Sequence, residues 1–126
     1  MYLKIDFESE KPIYTQLIEQ IIEGIASGTI KEGDALPSVR QMAEDIGINL
    51  HTVNKAYTLL KNEGYIKLDR RKGAIINLNF HQTKEAIIKK LSEELKVVLA
   101  EAYCKKVTKE ELSEIVNEIY SNYEKA

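Results

Sequence analysis

The sequence predicts a mainly α-helical chain with one small β-hairpin, arranged as a winged helix-turn-helix followed by a tail of two helices. Three observations predict this fold class. Two short helical patterns meet at a tight turn containing Gly47, which is typical of a helix-turn-helix. Two alternating segments joined by the basic turn "RRKG" follow the second helix directly, as in a wing. After Phe80 the pattern changes to two amphipathic helices.

The first helix is predicted between Pro12 and Gly28. Proline suits the first turn of a helix because its φ is already fixed, and glycine suits the residue after the last turn. Apolar residues recur between them at four-residue steps, at Ile13, Leu17, Ile21 and Ile25. Upstream, the alternation in "YLKIDF" predicts a short strand or an extended arm over Tyr2–Phe7.

Capping residues mark the helix-turn-helix. Ser38 followed by Gln41 matches a capping box, in which the hydroxyl and the amide satisfy free backbone donors. Asn49 is predicted to cap the next helix, which spans about residues 50–63 and ends at Gly64. The two helices carry apolar faces at helical spacing, Val39, Met42, Ala43 and Ile46 on one and Val53, Ala56, Leu59 and Leu60 on the other.

The hairpin is predicted from two alternating segments. The first, Tyr65–Asp69, is expected to point Ile66 and Leu68 inward, and the second spans Ala74–Leu78. Arg70–Gly73 forms a tight basic turn between them. With the three helices, this hairpin completes a first domain over residues 1–80.

Residues 81–126 are predicted to be a helical dimerisation or effector tail. Thr83 can cap a helix running to about Cys104, and Thr108 with Glu111 matches a capping box for the last helix. Each helix has about one apolar stripe, so the pair should dock on the first domain or on a second copy of itself. The predicted dimer residues are Ile88, Leu91, Leu95, Val98, Ala102, Leu112, Ile115 and Ile119.

Composition suits one domain with an appendage: the chain has 126 residues, of which 44% are hydrophobic and 30% charged. No apolar run approaches the length of a membrane span and no secretory signal pattern opens the chain, so no membrane association is expected. The single cysteine, Cys104, cannot form an intrachain disulfide, which favours the cytoplasm. We expect it to be a small buried residue.

Charge is distributed unevenly around a net value of −2. Residues 1–50 hold four Lys/Arg against nine Asp/Glu, whereas residues 51–78 hold six against two. The positive stretch therefore begins at the second helix of the helix-turn-helix. A local patch of this kind, rather than the total charge, attracts a polyanion.

The side chains needed for catalysis or metal binding do not occur in a recognisable pattern. Two histidines and one cysteine give no metal-ligand spacing, and "GTIKEG" lacks the ending of a phosphate-binding loop. We therefore expect no catalytic residue, no metal site and no cofactor.

The start of the third helix carries polar groups that suggest either an ordinary solvated surface or a reading surface. In a helix-turn-helix, the first residues of the second helix reach base edges in the major groove, where Asn pairs with adenine and Lys prefers guanine or phosphate. Arg40 could form a surface ion pair with Glu44, four residues later, but its position in the first helix of the helix-turn-helix favours a contact with phosphate or guanine. The DNA-binding residues predicted in this way are Ser38, Arg40, Asn49, His51, Thr52, Asn54, Lys55, Arg70, Arg71 and Lys72.

Residues 12–66 read "PIYTQLIEQIIEGIASGTIKEGDALPSVRQMAEDIGINLHTVNKAYTLLKNEGYI". This stretch resembles the DNA-binding domain of GntR-type bacterial transcriptional regulators, on the joined elements "PIY.Q", "G.I..G..LPS.R..A" and "TV..AY..L...G.I". The likeness continues through the wing to about Leu78. The short tail is similar to that of the YtrA-like branch, whose members carry a small dimerisation tail instead of a large effector domain.

The resemblance implies DNA contacts at Arg40, at residues 49–52, at Asn54 and across Arg70–Gly73, which adds Leu50 and Gly73 to the predicted set. Many relatives have an arginine where this chain has Leu50, so an apolar contact to a thymine methyl is expected there. Arg71 occupies the first glycine position of the usual Gly-x-Gly wing, so a side-chain charge replaces that glycine.

These features predict a cytoplasmic homodimer that binds a double-stranded, pseudo-palindromic DNA operator and regulates transcription, by default as a repressor. An effector, if one exists, would be an unidentified small molecule at the dimer seam. The alternative is a winged-helix protein–protein interaction module without nucleic-acid binding, which the acidic total favours. The salt dependence of binding distinguishes these two functions, because contacts with DNA phosphates make log K fall steeply with log salt.

Overall fold

A computed structural model of the chain describes residues 3–125. Within these residues the elements are α1 (Ile13–Ala26), α2 (Val39–Ile46), α3 (Leu50–Glu63), β1 (Ile66–Asp69), β2 (Gly73–Ile76), α4 (Lys84–Cys104) and α5 (Lys109–Glu124). The two strands form one antiparallel hairpin. The predicted fold class, mainly helical with a small hairpin, is confirmed. Two compact units are present, one ending at Phe80 and the other spanning His81–Lys125.

The core of the first unit forms where the apolar stripe of α1 meets α3. Leu17 and Ile21 of α1 are completely buried, as are Val53 and Ala56 of α3. Burial of these stripes stabilises the unit by roughly 1.5–3 kcal/mol for each large side chain. It also fixes the rotation of α3, because the face that carries Val53 and Ala56 must point inward. The cluster is completed by Ile30, Leu36, Met42, Ala43, Tyr57, Leu60, Ile66, Ala74 and Ile76.

The N-terminal segment is an extended arm held by two glutamines of α1. The amide of Gln16 accepts from the Asp6 N–H at 2.9 Å and donates to the Asp6 carbonyl at 3.0 Å. One turn later, the amide of Gln20 pairs in the same way with the backbone of Lys4. Two side-chain amides thus replace a partner strand, which explains why the arm is extended without being a strand. Tyr2 lies outside the described residues.

Helix termini follow the capping predictions with one exception. Ser38 accepts from the Gln41 N–H at 3.1 Å, but the Gln41 side chain donates to Asp45 at 2.7 Å instead of returning to Ser38. The reciprocal half of that capping box is therefore a wrong prediction, because a carboxylate one turn along offers a stronger acceptor. The Asn49 cap is confirmed by a 2.7 Å bond from the His51 N–H. Gly47 ends α2 in the left-handed conformation, with φ 78°.

The hairpin is shorter than predicted and only partly buried. Ile66 is buried, whereas Leu68, which lies on the same face and pairs with the buried Ala74, is 55% exposed, so the prediction that Leu68 packs inside is wrong. Leu68 lies one register position from the loop that Asp69 and Gly73 close, at the exposed end of the hairpin. Ala74, Ile75 and Ile76 of β2 are all buried, whereas β1 buries only Ile66, the residue nearest α3. The backbone of Ile75 also bridges to Ala35 on the second edge of β2.

The segment that leaves the hairpin is bound back to the end of α3. The Asn77 N–H donates to the Tyr65 carbonyl at 3.0 Å, and the Asn79 N–H donates to the Gly64 carbonyl at 2.8 Å. The rings of Tyr65 and Phe80 meet edge to face with centroids 5.0 Å apart. Gly64, with φ 94°, allows this approach, since a Cβ there would lie 2.4 Å from the Asn79 carbonyl oxygen.

The second unit consists of two capped helices joined by a short turn. Thr83 caps α4, and Thr108 with Glu111 forms both bonds of the predicted capping box. At the end of α4, Lys106 adopts φ 63° and its N–H donates to the Tyr103 carbonyl at 3.2 Å, which closes the last turn. Cys104 is exposed, so its predicted burial is wrong for the single chain.

Replacing Gly64 by alanine tests the close approach at the end of α3. A left-handed alanine costs about 1–2 kcal/mol, and displacing the Asn79 carbonyl adds roughly 1–3 kcal/mol. Gly47→Ala is the matched control, because Gly47 also has a positive φ but nothing within 4 Å of an added Cβ. Urea unfolding should therefore show a clearly larger loss of stability for Gly64→Ala. Equal losses would contradict the close approach.

Candidate nucleic-acid interface

The side chains at the start of α3 that do not enter the core are exposed, and most of them are polar. Leu50, His51 and Asn54 are exposed, and Thr52 is half-buried. Asn49, which precedes the helix, is also exposed, but its side-chain oxygen already accepts from the His51 N–H. Asn54 therefore has both ends of its amide available for a base edge, whereas Asn49 uses its oxygen for the helix cap.

Residues from α2 and α3 together line a concave depression of about 440 Å³. The lining residues are Ser38, Val39, Arg40, Leu50, His51 and Asn54. Five of the residues predicted to contact DNA thus meet on one surface, although they come from two separate helices. Among the described residues that line the depression none has a carboxylate, so Arg40 gives it a positive character.

Arg40 is available to a ligand. Within residues 3–125 the ion pairs are Lys11–Glu19 and Lys105–Glu101, so the surface alternative, an Arg40–Glu44 pair, is not formed. Ser38, two residues before Arg40, has its hydroxyl engaged in the helix cap. The cap predicted for Ser38 is confirmed, and the contact of its backbone amide with a phosphate stays a prediction.

A buried tyrosine that was not predicted as a site residue fixes α2 against α3. Tyr57 is only 2% exposed, and its hydroxyl donates to the Pro37 carbonyl at 2.7 Å. Desolvation by burial raises the pKa of the Tyr57 phenol well above its usual range. Because Pro37 directly precedes Ser38, this hydrogen bond sets the position of the α2 N-terminus relative to α3.

Lys55 lies on the flank of α3 that faces α1. Its ammonium group stands 4.0 Å from the centre of the Tyr14 ring, a cation–π contact. The contact orders the lysine side chain without neutralising its charge. Lys55 is not among the residues that line the depression, and its contact with DNA stays a prediction.

The wing is a separate basic element at the end of the hairpin. Asp69 pairs with Gly73, so the loop between them consists of Arg70, Arg71 and Lys72, all exposed. An oxygen of the Asp69 carboxylate accepts from the Arg71 N–H at 2.8 Å and the Lys72 N–H at 3.0 Å. The hydrogen bond from the Lys72 N–H contributes most to lowering the pKa of the Asp69 carboxyl, and the bond from the Arg71 N–H contributes next.

Arg71 does not need the conformational freedom of the glycine that it replaces. Among residues 3–125, Lys106 is the only non-glycine residue with positive φ, so Arg71 adopts an ordinary backbone conformation. Gly73 supplies the left-handed residue of the loop, with φ 80°. The three-residue loop followed by a left-handed glycine is a favoured hairpin connection.

Comparison with known proteins identifies the family. Residues 13–76, which include α1, the helix-turn-helix and the hairpin, match the gntR family of bacterial regulatory proteins. The chain belongs to the GntR family. The matched region contains every residue that lines the depression and the whole wing.

Full-length relatives extend this likeness through the tail. The HTH-type transcriptional repressor YtrA of Bacillus subtilis is 40% identical over 118 residues, which are 93% of this chain and 91% of that protein. The structure of YtrA from Sulfolobus acidocaldarius, a GntR-family transcription factor, is 37% identical with a TM-score of 0.59, covering 94% of this chain and 97% of that one. A protein described as a transcriptional antiterminator from Listeria monocytogenes EGD-e reaches a TM-score of 0.82 at 27% identity, covering 95% and 93%.

This GntR-family chain is a DNA-binding transcriptional regulator and not an enzyme, since its relatives are named as transcriptional regulators. The prediction of a regulator, rather than a protein-interaction module, is confirmed. Within residues 3–125, no helix combines the length and apolar composition that crossing a membrane requires.

Replacing Tyr57 by phenylalanine should destabilise the GntR domain by about 1 kcal/mol at neutral pH, because the Pro37 carbonyl loses its donor. The raised pKa adds a pH dependence. The folded state keeps the phenol protonated, whereas the unfolded chain releases the proton above about pH 10. Wild-type stability is therefore lost as pH rises past that value, and the Tyr57→Phe variant lacks this loss.

Urea unfolding of both proteins from neutral pH to about pH 11 measures the effect, and the stability difference should shrink above about pH 10. Tyr103→Phe is the control, since Tyr103 is 86% exposed and its removal should leave stability unchanged. A difference between wild type and Tyr57→Phe that does not vary with pH would contradict the burial of an uncharged phenol.

Proposed function

We propose that the protein is a cytoplasmic homodimeric repressor that reads a pseudo-palindromic DNA operator through α3 and holds the flanking backbone with its wing. The observation that carries the proposal is the depression in which Arg40 of α2 meets Leu50, His51 and Asn54 of α3. The repressor named YtrA in Bacillus subtilis, similar over almost the whole chain, supports this direction of regulation.

The side chains at the start of α3 contact the DNA base edges, together with Arg40 of α2. Asn54 suits the two hydrogen bonds that adenine offers in the major groove, and Arg40 suits guanine or a phosphate. His51 donates or accepts through its ring nitrogens. Leu50 is 42% exposed although it is apolar, which agrees with a contact to a thymine methyl group.

The wing and the flank of α3 contact the phosphate backbone of the DNA. Arg70, Arg71 and Lys72 supply three positive charges on an exposed loop, and Lys55 supplies one on the flank of α3. Such charges position a protein on the duplex without reading its sequence. The wing arginines can also bind in a narrow minor groove, where the negative potential of the DNA is enhanced.

The tail provides the surface for a second copy of the chain. No described residue of α4 or α5 is buried in the single chain. The predicted dimer stripe includes Ile88, Leu91, Leu95, Val98, Ile115 and Ile119, each between 42% and 55% exposed, with Ala102 and Leu112 half-buried. Exposed apolar surface of this kind marks an interaction site. A two-fold dimer through this face would require an operator with two inverted half-sites.

Two exposed residues widen the stripe beyond the predicted set. Ile87 precedes Leu91 by four residues and Leu99 follows Leu95 by four, so both lie on the same side of α4. They are 36% and 45% exposed. The proposed seam of α4 is therefore broad enough for helix packing, and any small-molecule effector would bind along it.

Base contacts and phosphate contacts should respond differently to mutation. Arg71→Ala or Lys72→Ala should weaken binding to all sequences similarly and reduce the slope of log K against log salt by about 0.9 for each lost phosphate contact. His51→Ala or Asn54→Ala should instead cost about 1–3 kcal/mol on the preferred duplex and much less on random DNA.

The probes are the duplex most enriched by selection from a random pool and a scrambled duplex of equal composition, titrated at several salt concentrations. Lys61→Ala in the last turn of α3 is the charge-matched control and should change neither quantity much. If the His51 and Asn54 variants lose specific and scrambled binding equally, the start of α3 does not read bases.

Leu95→Asp should convert the dimer to a monomer, because it places a charge in the centre of the α4 stripe. Ala100→Asp introduces the same charge on the opposite side of α4, where Ala100 is exposed, and should leave the dimer intact. Sedimentation measures the oligomeric state, and circular dichroism should show the first unit still folded in both variants. A Leu95→Asp protein that stays dimeric would place the seam elsewhere.

A further inference from the structure

The basic wing contains one acidic residue whose presence the proposed DNA contact does not explain. Asp69 directly precedes Arg70, Arg71 and Lys72 at the end of β1. A carboxylate beside three cations weakens the attraction of the loop for phosphate. If the loop served only to attract DNA, a neutral residue at this position would serve better.

The contacts of Asp69 show that it builds the loop. A single carboxylate oxygen accepts from two successive backbone N–H groups, those of Arg71 at 2.8 Å and Lys72 at 3.0 Å. The backbone of Asp69 meanwhile pairs with Gly73 and closes the loop at its base. Apart from this carboxylate, the exposed loop has no side-chain partner for these two amides among the hydrogen bonds of residues 3–125.

The charge of Asp69 persists at neutral pH. Two backbone hydrogen bonds stabilise the ionised form and lower its pKa, and the positive charges of Lys72 and Lys67 act in the same direction. The loop therefore presents an ordered backbone and three cations, together with one permanent negative charge.

We propose that Asp69 is a specificity-determining residue: its hydrogen bonds order the wing before DNA arrives, and its charge lowers affinity for duplex DNA of any sequence. The inference rests on the proposed function, because it requires the wing to lie against the duplex. Both effects favour the operator over random DNA. Ordering the loop in advance removes an entropy loss from the specific complex, and the negative charge weakens complexes held by phosphate attraction alone.

Substitutions at one position separate the two effects. Asp69→Asn keeps an acceptor oxygen for the loop and removes the charge, whereas Asp69→Glu keeps the charge but is too long to make the same turn. Asp69→Ala removes both. Hydrogen exchange of the Arg71 and Lys72 amides in the free proteins checks the turn directly, and only Asp69→Asn should match the wild type.

Affinity is then measured for the duplex most enriched by selection and for a scrambled duplex of equal composition. On scrambled DNA near 0.15 M salt, Asp69→Asn and Asp69→Ala should bind up to about fivefold more tightly than wild type, the effect of about one additional phosphate interaction. The ratio of selected to scrambled affinity should fall roughly five- to thirtyfold in Asp69→Ala relative to Asp69→Asn, as expected if about one residue is ordered only on binding.

Unchanged scrambled-DNA affinity in Asp69→Asn would overturn the role of the charge, and equal affinity ratios in Asp69→Asn and Asp69→Ala would overturn the role of the turn. Either result, with a wild-type protein that still prefers the selected duplex, leaves the proposed function intact. A wild-type protein that binds both duplexes equally, or neither, overturns the proposed function itself and this inference with it.

Discussion

The hydrogen bond from Tyr57 to the Pro37 carbonyl is the constraint on which the proposed reading surface depends. Tyr57 is buried among the apolar residues of α3, and a buried phenol without an acceptor would cost about 1–3 kcal/mol. The loop before α2 is therefore held at one position against α3. Arg40 then stands beside Leu50, His51 and Asn54 and not elsewhere on the surface. This contact, together with the burial of Met42 and Ala43 of α2 in the same core, aligns Arg40 with side chains ten or more residues later in the chain.

Local features of this chain could be predicted from sequence, and long-range features could not. The Asn49 cap and the Thr108–Glu111 capping box depend on residues within one helical turn, and both are confirmed. The bridge from Ala35 to Ile75 and the exposure of Leu68 at the loop end of the hairpin depend on packing between distant segments, which sequence alternation does not reveal. The hydrogen bond from Tyr57 to Pro37, and those that Gln16 and Gln20 make with the N-terminal arm, join residues that are 10–20 positions apart. In the site itself, residue types and spacing indicated Arg40, His51 and Asn54, but not what holds them together.

Charge in this protein matters by location and not by total. A net charge of −2 would disfavour a nucleic-acid ligand if it were spread evenly. Within residues 3–125, however, no carboxylate lines the depression, and the wing concentrates three cations on one loop. The carboxylate of Asp69 within that loop is engaged with backbone N–H groups. Helix propensity, burial and hydrogen bonding decide where each charge stands, and the proposed recognition follows from that arrangement.

The proposed repressor reads inverted half-sites of duplex DNA with two copies of α3. Selection of binding sites from a random duplex pool tests it most directly, because it assumes nothing about the operator. We expect enrichment of an inverted repeat whose half-site centres lie about one helical turn, roughly 10 base pairs, or a multiple of it apart. A pool that is not enriched, or is enriched only for single half-sites, would rule out recognition by a symmetric dimer.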